Sequence, residues 1–198
     1  MTTALDQPIP GYEYGSDALD PSPVTAEDVS LLETTLLWTE EDDANLRLAG
    51  EVLADQVDDV LELWYGFVGS NDHLVHYFAG ADGQPSPEYL ERVRARFAQW
   101  VRDVCERPRD RAWREYQHEI ALRHTAAKKN RTDGVGAVPM IGLRYMIAFI
   151  VPITVTMRDF LAAKGHDREQ VDAMQAAWFK AVVLHVTLWA QPYAPEVW

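Results

Sequence analysis

The stretch DQVDDVLELWYGFVGS, residues 55–70, decides the fold, because its apolar residues recur every three or four positions. This spacing gathers the apolar side chains into one stripe along a helix, whereas a half-buried strand would alternate every two residues. The stripe consists of Val57, Val60, Leu61, Trp64, Phe67 and Val68. The stretch therefore predicts an amphipathic helix with an aromatic-rich buried face.

Similar periodicity continues along most of the chain. Thr25 with Asp28 predicts a capping box before a first helix, and Thr39 followed by four acids predicts the start of a second, with a break near Gly50. No segment alternates with a period of two, so the predicted fold class is all-α. Further helices are predicted after the prolines of residues 85–87, and at about residues 110–128, 139–164 and 167–189.

Composition excludes several classes of protein. The net charge of −13 argues against a nucleic-acid partner, and the single cysteine, Cys105, excludes an internal disulfide and fits a reducing cytoplasm. The N-terminus lacks the pattern of a signal peptide, and the longest apolar run, residues 145–157, is too short to span a membrane and contains Pro152. We expect a cytoplasmic protein with no membrane partner, in which an N-terminal arm (1–24) packs on one domain (25–198).

The histidines are the candidate metal ligands. His118 and His124 share the stretch EYQHEIALRH, residues 115–124, but lie roughly 120° apart around a helix, so His118 is expected to face solvent. The Glu-x-x-His pattern of residues 115–118 occurs in di-iron bundles, but a second such motif is missing and this interpretation fails. His73, His76 and His166 are expected to lie at the surface.

Helical position alone does not distinguish His124 from His185, because each shares a face with apolar or aromatic residues. Their surroundings favour His124, which is close to Arg123, Lys128 and Lys129. Basic neighbours favour the neutral imidazole that binds metals, and they also attract an anionic cofactor edge. A planar, apolar cofactor with two carboxylates, held by one histidine in an aromatic-rich helical domain, indicates haem.

Six stretches of the sequence resemble protoglobins, and together they cover almost the whole chain. They are PGYEYG (10–15), the stretch of residues 55–70, YLERVRARFAQW (89–100), EIALRH (119–124), LRYMIAFIVPITVTM (143–157) and AWFKAVVLHVTLW (177–189). Protoglobins are single-domain haem proteins related to the sensor domains of globin-coupled sensors. The resemblance implies an expanded globin fold, with an extra N-terminal helix and an arm that helps to bury haem b (iron protoporphyrin IX).

The resemblance also implies roles for particular residues. His124 corresponds to the proximal iron ligand and Tyr65 to the distal tyrosine. Phe78 corresponds to a phenylalanine that packs on the haem, and Arg96 and Tyr116 fall where the family contacts the haem edge. The distal pocket and its gas tunnels correspond to Trp64, Phe97, Phe149, Val93 and Ile153.

Three positions depart from the family pattern. Thr125 replaces a second histidine that often follows the ligand, which leaves His124 without an adjacent rival. Val151 replaces a tyrosine common before the PIT sequence, and His185 stands where we expect glutamine.

Three functions follow from these observations. The first is reversible binding of O2, CO or NO for scavenging or sensing, and sensing would require a separate partner. The second is haem-dependent turnover of NO, peroxide or reactive nitrogen species with a separate reductant, or use as a scaffold for carbene transfer. The third is a helical interaction module without haem, which a Soret band would exclude. Trp178 and Trp189 fit either the core or a homodimer interface.

Overall fold

The computed structural model describes residues 8–198, apart from the side chain of Val197. In this part of the chain there is no strand, only an isolated bridge between Ala79 and Pro85, and the all-α prediction is confirmed. Short 3-10 turns follow α4 (His76–Phe78) and α9 (Gln191–Tyr193 and Pro195–Val197). The helices are α1 Ala26–Thr35, α2 Glu40–Leu53, α3 Val57–Gly69, α4 Asp72–Val75, α5 Pro87–Glu106, α6 Arg111–Arg123, α7 Leu143–Val155, α8 Met157–Ala162 and α9 Arg168–Ala190.

Local sequence signals explain how the first two helices begin. Thr25 and Asp28 form the predicted capping box at α1, and Thr39 with Asp42 forms a second one at α2. Each box satisfies backbone N–H groups that have no partner within the helix. Whether α1 is the extra helix of an expanded globin stays a prediction.

The predicted break near Gly50 falls later, at residues 54–56, because α2 continues through Gly50 to Leu53 and α3 begins at Val57. A Cβ atom at Gly50 would lie only 2.8 Å from the Cβ of Cys105 on α5. Glycine is therefore present because two helices cross closely, not because the helix ends there.

Helix α9 lies at the centre of the molecule and packs on α2, α6, α7 and α8. Trp178 is fully buried and its indole N–H donates to the Ile153 carbonyl oxygen at 3.0 Å. Lys180 donates to the carboxylate of Asp42 at 2.9 Å and so joins α9 to the start of α2. Because Trp189 is also buried, both tryptophans belong to the core and neither supplies a dimer surface.

The ends of two helices differ from expectation. Helix α6 ends at Arg123 instead of continuing to residue 128, and the His124 carbonyl accepts the Ile141 N–H at 2.9 Å. Helix α7 begins at Leu143 instead of residue 139 and is separated from α8 at Thr156, whose hydroxyl donates to the Pro152 carbonyl at 2.7 Å. The interruption falls four residues after the proline.

Residues 8–24 of the predicted arm lie against α5 and α6, while residues 1–7 lie outside the described part of the chain. The Tyr12 hydroxyl donates to Asp103 at 2.9 Å, and the Tyr12 and Tyr14 rings pack edge-on against Tyr116. Gly11 has a φ of 76° and a Cβ atom there would meet the Arg96 guanidinium at 2.9 Å. The arm is therefore fitted closely to the helices beneath it.

We predict that Gly50→Ala lowers the free energy of unfolding by about 1–3 kcal/mol, because the new methyl group overpacks the crossing of α2 and α5. The matched control is Gly66→Ala in α3, where an added Cβ meets no atom within 4 Å. That change should raise stability by about 0.5–1 kcal/mol through helix propensity alone. Urea unfolding of both variants measures the difference, and equal effects would contradict the close crossing.

Candidate functional site

A cavity of about 250 Å³ lies between α3, α5, α6 and α7. All ten residues that the sequence singled out contribute to its wall, although they come from five separate segments. Their position is a structural fact, and the roles implied for them stay predictions. They are His124, Tyr65, Trp64, Phe97, Phe149, Val93, Ile153, Phe78, Arg96 and Tyr116.

His124 is placed in the cavity wall at the C-cap of α6. Its ring Nδ1 lies 2.8 Å from the Ile120 carbonyl oxygen, which only accepts hydrogen bonds, so Nδ1 carries the proton and Nε2 carries the lone pair. Burial is the main cause that lowers the pKa of His124 to about 4, the charges of Lys129 and Arg123 act in the same direction, and the hydrogen bond to Ile120 opposes them. The imidazole is therefore neutral at physiological pH and able to bind a metal.

The position of the His124 ring is fixed by residues from the end of the chain. The Trp189 ring stacks on it at 5.4 Å between centroids, and the Trp189 indole N–H donates to Gln117 at 2.9 Å. The Tyr193 hydroxyl donates to the His124 carbonyl oxygen at 3.0 Å. No local spacing connects residues 189 and 193 with residue 124, so the sequence carries no signal for these two contacts.

The wall contributed by α3, α5 and α7 is aromatic. The Trp64 and Phe97 rings lie 5.2 Å apart, and the Trp64 indole N–H donates to Thr156 at 2.9 Å, so its polar edge is already hydrogen-bonded. Tyr65 packs edge-on against Phe97, and its hydroxyl makes no hydrogen bond with the described residues. Burial raises the pKa of Tyr65, which keeps the hydroxyl protonated as a donor.

The charged side chains of the cavity wall are mostly cationic, whereas the chain as a whole is anionic. Arg96, Arg123 and Lys129 are cationic, and Asp133 is the single anionic residue among the described residues of the wall. Since the net charge of the chain is −13, this cationic edge is a local feature. It is suited to an anionic group on an otherwise apolar ligand.

The other histidines are placed away from the cavity. His185 is buried in the core, where its Nδ1 accepts the Trp100 indole N–H at 2.9 Å, and burial lowers its pKa to about 3. His118 is half-buried against residues 22–24 of the arm, so the expectation that it faces solvent is wrong. His73 and His76 are exposed, as expected.

Comparison with protein families identifies the chain. The sequence model of the protoglobin family matches residues 25–197, which include every helix from α1 to α9. The chain belongs to the protoglobin family. Membership implies a haem cofactor and the binding of gas ligands. A search of curated proteins finds no match to this chain.

The residues of the cavity fit a haem. Within residues 8–198 no group of three or more His, Cys, Asp or Glu side chains could hold a metal ion, so a metal at His124 must bring its remaining ligands with it. A tetrapyrrole does so, and it also presents flat apolar faces and carboxylates. The aromatic wall matches the flat apolar faces, and the cationic edge matches the carboxylates.

The buried neutral state of His185 predicts a specific pH dependence. Between the ordinary histidine pKa of about 6.5 and the folded value of about 3, the unfolded chain binds a proton at this residue and the folded chain does not. The contribution of His185 to the free energy of unfolding is therefore fully present above about pH 6.5 and is lost as the pH falls. We predict that His185→Gln, which keeps an acceptor for Trp100, makes the free energy of unfolding less dependent on pH. In this window, the slope should fall by up to about 1.4 kcal/mol per pH unit.

Denaturant unfolding of the apoprotein between pH 7 and 4 measures this slope for the parent and the variant. His166→Gln is the control, because His166 lies outside the core. Parallel curves for the parent and His185→Gln would contradict the buried neutral state.

Proposed function

We propose that this protoglobin binds haem b in the cavity with His124 as the protein ligand to iron, and that it binds diatomic gases on the opposite, aromatic side. The observation that carries the proposal is the hydrogen bond of His124 Nδ1 to Ile120, which leaves Nε2 free as a ligand atom on a residue of the cavity wall. When bound, haem supplies an iron with an open coordination position for O2, CO or NO.

The aromatic side provides an apolar pocket with one polar donor. Trp64, Phe97 and Phe149 are rigid apolar surfaces, and Val93 and Ile153 complete the wall with smaller side chains. Such a pocket favours small neutral molecules and disfavours water and ions. The Tyr65 hydroxyl is available to donate a hydrogen bond to O2 held in this pocket, since it has no partner among the described residues.

Gas binding is better supported than turnover of peroxide. Acid–base cleavage of peroxide requires a residue that exchanges protons near neutral pH on the gas side. His124 is the single histidine among the described residues that line the cavity, and it is assigned to the iron. The carboxylate of Asp133 is ion-paired with Arg96 at 2.6 Å. Conversion of NO or reactive nitrogen species with a separate reductant, and carbene transfer, remain alternative uses of the same pocket.

We predict that His124→Ala abolishes stable haem binding or yields a haem spectrum without a protein ligand, because no other imidazole of the described residues lines the cavity. The matched control is His185→Gln, since burial keeps the His185 imidazole neutral as well, but this imidazole is bonded to Trp100. Haem titration followed by the Soret band, in the ferric state and in the ferrous state with CO, distinguishes the variants. Loss of haem in His185→Gln with retention in His124→Ala would overturn the assignment.

We predict that Tyr65→Phe increases the rate of O2 dissociation about tenfold or more, because one hydrogen bond worth about 1–2 kcal/mol is lost. The rate of CO dissociation should change much less, since bound CO is less polarised than bound O2. Stopped-flow ligand replacement measures both rates on the same sample. Equal changes for the two gases would mean that this hydroxyl does not face the ligand.

We further propose that two copies associate through the outward face of α7. Ile147, Val151 and Val155 are more than half exposed and form one apolar stripe along this helix. The stripe ends in exposed residues of opposite charge, Arg144 and Asp159. Two copies packed antiparallel would bury the apolar centre and bring Arg144 of one near Asp159 of the other, which is a self-complementary arrangement.

A membrane is the other possible environment for this face. The segment Leu143–Ala162 forms a longer apolar helical stretch than the sequence suggested, long enough by length and composition to cross a bilayer. However, Met157 and Leu161 are buried in the core, and Gln175 and Trp178 of α9 donate to backbone carbonyls of α7. These contacts belong to a helix that has one face packed in a globular core, and we therefore favour a second copy.

We predict that the parent chain sediments as a dimer at micromolar concentration and that Val151→Glu sediments as a monomer. The matched control is Leu31→Glu on α1, because Leu31 and Val151 are both 62% exposed. Analytical ultracentrifugation of the three proteins tests the interface. A monomeric parent, or a dimer that survives Val151→Glu, would contradict it, and co-sedimentation with lipid vesicles would favour the membrane instead.

A further inference from the structure

The three cationic side chains of the cavity wall differ in how many of their N–H groups are already hydrogen-bonded within the protein. Both terminal nitrogens of Arg96 bond the Asp133 carboxylate, at 3.0 and 2.6 Å, and one of them also donates to the Pro10 carbonyl of the arm at 2.8 Å. Its guanidinium is thus hydrogen-bonded and charge-balanced within the protein. The family resemblance places Arg96 at the haem edge, which stays a prediction, and in the structure its guanidinium also holds the arm.

Arg123 is occupied in a similar way. It donates to the buried carboxylate of Glu119 at 2.8 Å and to the Gly11 carbonyl of the arm at 2.6 Å, and it lies 3.3 Å from the carboxylate of Glu13. Two arginines therefore hold consecutive carbonyls of the arm, residues 10 and 11. Their charges are balanced before any ligand arrives.

Lys129 is the exception among the three. It is only 3% exposed, and its ammonium has one hydrogen bond, to the Tyr77 carbonyl oxygen at 2.8 Å. No carboxylate of the described residues lies within ion-pair distance of it, the charge of Asp133 acts on it only from further away, and the centroid of the Tyr89 ring lies 5.6 Å from its nitrogen. A buried ammonium without an anionic partner is costly, and two of its three donors are available.

We propose that Lys129 binds a carboxylate of the cofactor and is the residue that selects a tetrapyrrole with a free acid at this edge. The inference rests on the proposed haem function and deepens it. Because Arg96 and Asp133 form a neutral pair in the same part of the wall, one carboxylate on Lys129 completes the charge balance there. Burial also lowers the pKa of Lys129 to about 8, and a carboxylate partner would reverse this effect.

The proposal separates two ways of retaining haem. Lys129 acts on the carboxylate directly, whereas Arg96 and Arg123 act through the arm. The effect of a substitution at Lys129 on porphyrin affinity should therefore depend on whether the porphyrin has a free carboxylic acid. A change at Arg96 should weaken retention of any porphyrin, whether or not its carboxylates are esterified.

The experiment compares metal-free protoporphyrin IX with its dimethyl ester, titrated into the apoprotein in the same co-solvent and followed by porphyrin fluorescence. Without a metal, the affinity does not depend on His124. A charge-assisted hydrogen bond in a buried site is worth roughly ten- to a hundredfold in affinity, so the parent should prefer the free acid by that factor. Lys129→Met should lose the preference, and Lys129→Arg should keep most of it.

Two controls test whether the effect is specific. Arg131→Met, an exposed cation two residues away, should leave both affinities unchanged. Arg96→Met should lower the affinity for acid and ester by similar factors. A preference that survives Lys129→Met, or one that disappears in Arg96→Met alone, would overturn the assignment.

Comparison of the two porphyrins on the parent also tests the proposal without any variant, so a failure of Lys129→Met to fold leaves it testable. Equal binding of acid and ester by the parent contradicts the role of Lys129 and leaves the haem proposal intact. A folded parent that binds neither porphyrin, and shows no Soret band with haem, contradicts the proposed function itself.

Discussion

The site depends on one hydrogen bond, from Nδ1 of His124 to the carbonyl oxygen of Ile120. It fixes the tautomer and leaves Nε2 as the atom that would bind iron under the proposed function, and burial keeps the ring neutral. A backbone carbonyl is a weaker acceptor than a carboxylate, so the imidazole should remain a neutral donor to iron without the added basicity that a carboxylate partner gives. Trp189 and Tyr193 then fix the ring plane and the backbone around it.

The rest of the structure surrounds this residue with surfaces of different character. Helices α3, α5 and α7 provide rigid aromatic walls, while the connection from α6 to α7 provides the ammonium of Lys129. The arm covers the edge between α5 and α6, where Arg96 and Arg123 hold two of its carbonyls. Under the proposed function, these elements divide the tasks of ligating, enclosing and retaining a flat cofactor, and the remaining apolar space suits small gases.

Sequence analysis predicted much of the fold because helical periodicity and capping are local properties. It failed where the end of an element is set by a distant residue. Gly50 suggested a break, but its role is to admit Cys105. Helix α6 ends at Arg123, and the carbonyl of the next residue, His124, accepts the Ile141 N–H instead of a donor from a further helical turn. Neither cause lies within the sequence window that periodicity uses.

The candidate site, like the fold, was predictable from the sequence only in part. His124 was favoured over His185 from its basic neighbours alone, and the family resemblance supplied the residues of the aromatic wall. The stacking of Trp189 on His124, and the contrast between the paired Arg96 and the unpaired Lys129, depend on three-dimensional contacts. Sequence spacing carries no signal for contacts of this kind.

Resonance Raman spectroscopy of the ferrous, ligand-free protein, prepared with natural and with 15N-labelled histidine, tests the central claim most directly. The account predicts a single iron–histidine stretching band that shifts with the label, at the low frequency expected for a neutral imidazole bonded to a backbone carbonyl. It also predicts that a His124→Gly variant lacks this band and regains one with added imidazole. A band that persists in His124→Gly without imidazole, or no label-sensitive band in the parent, would contradict the account.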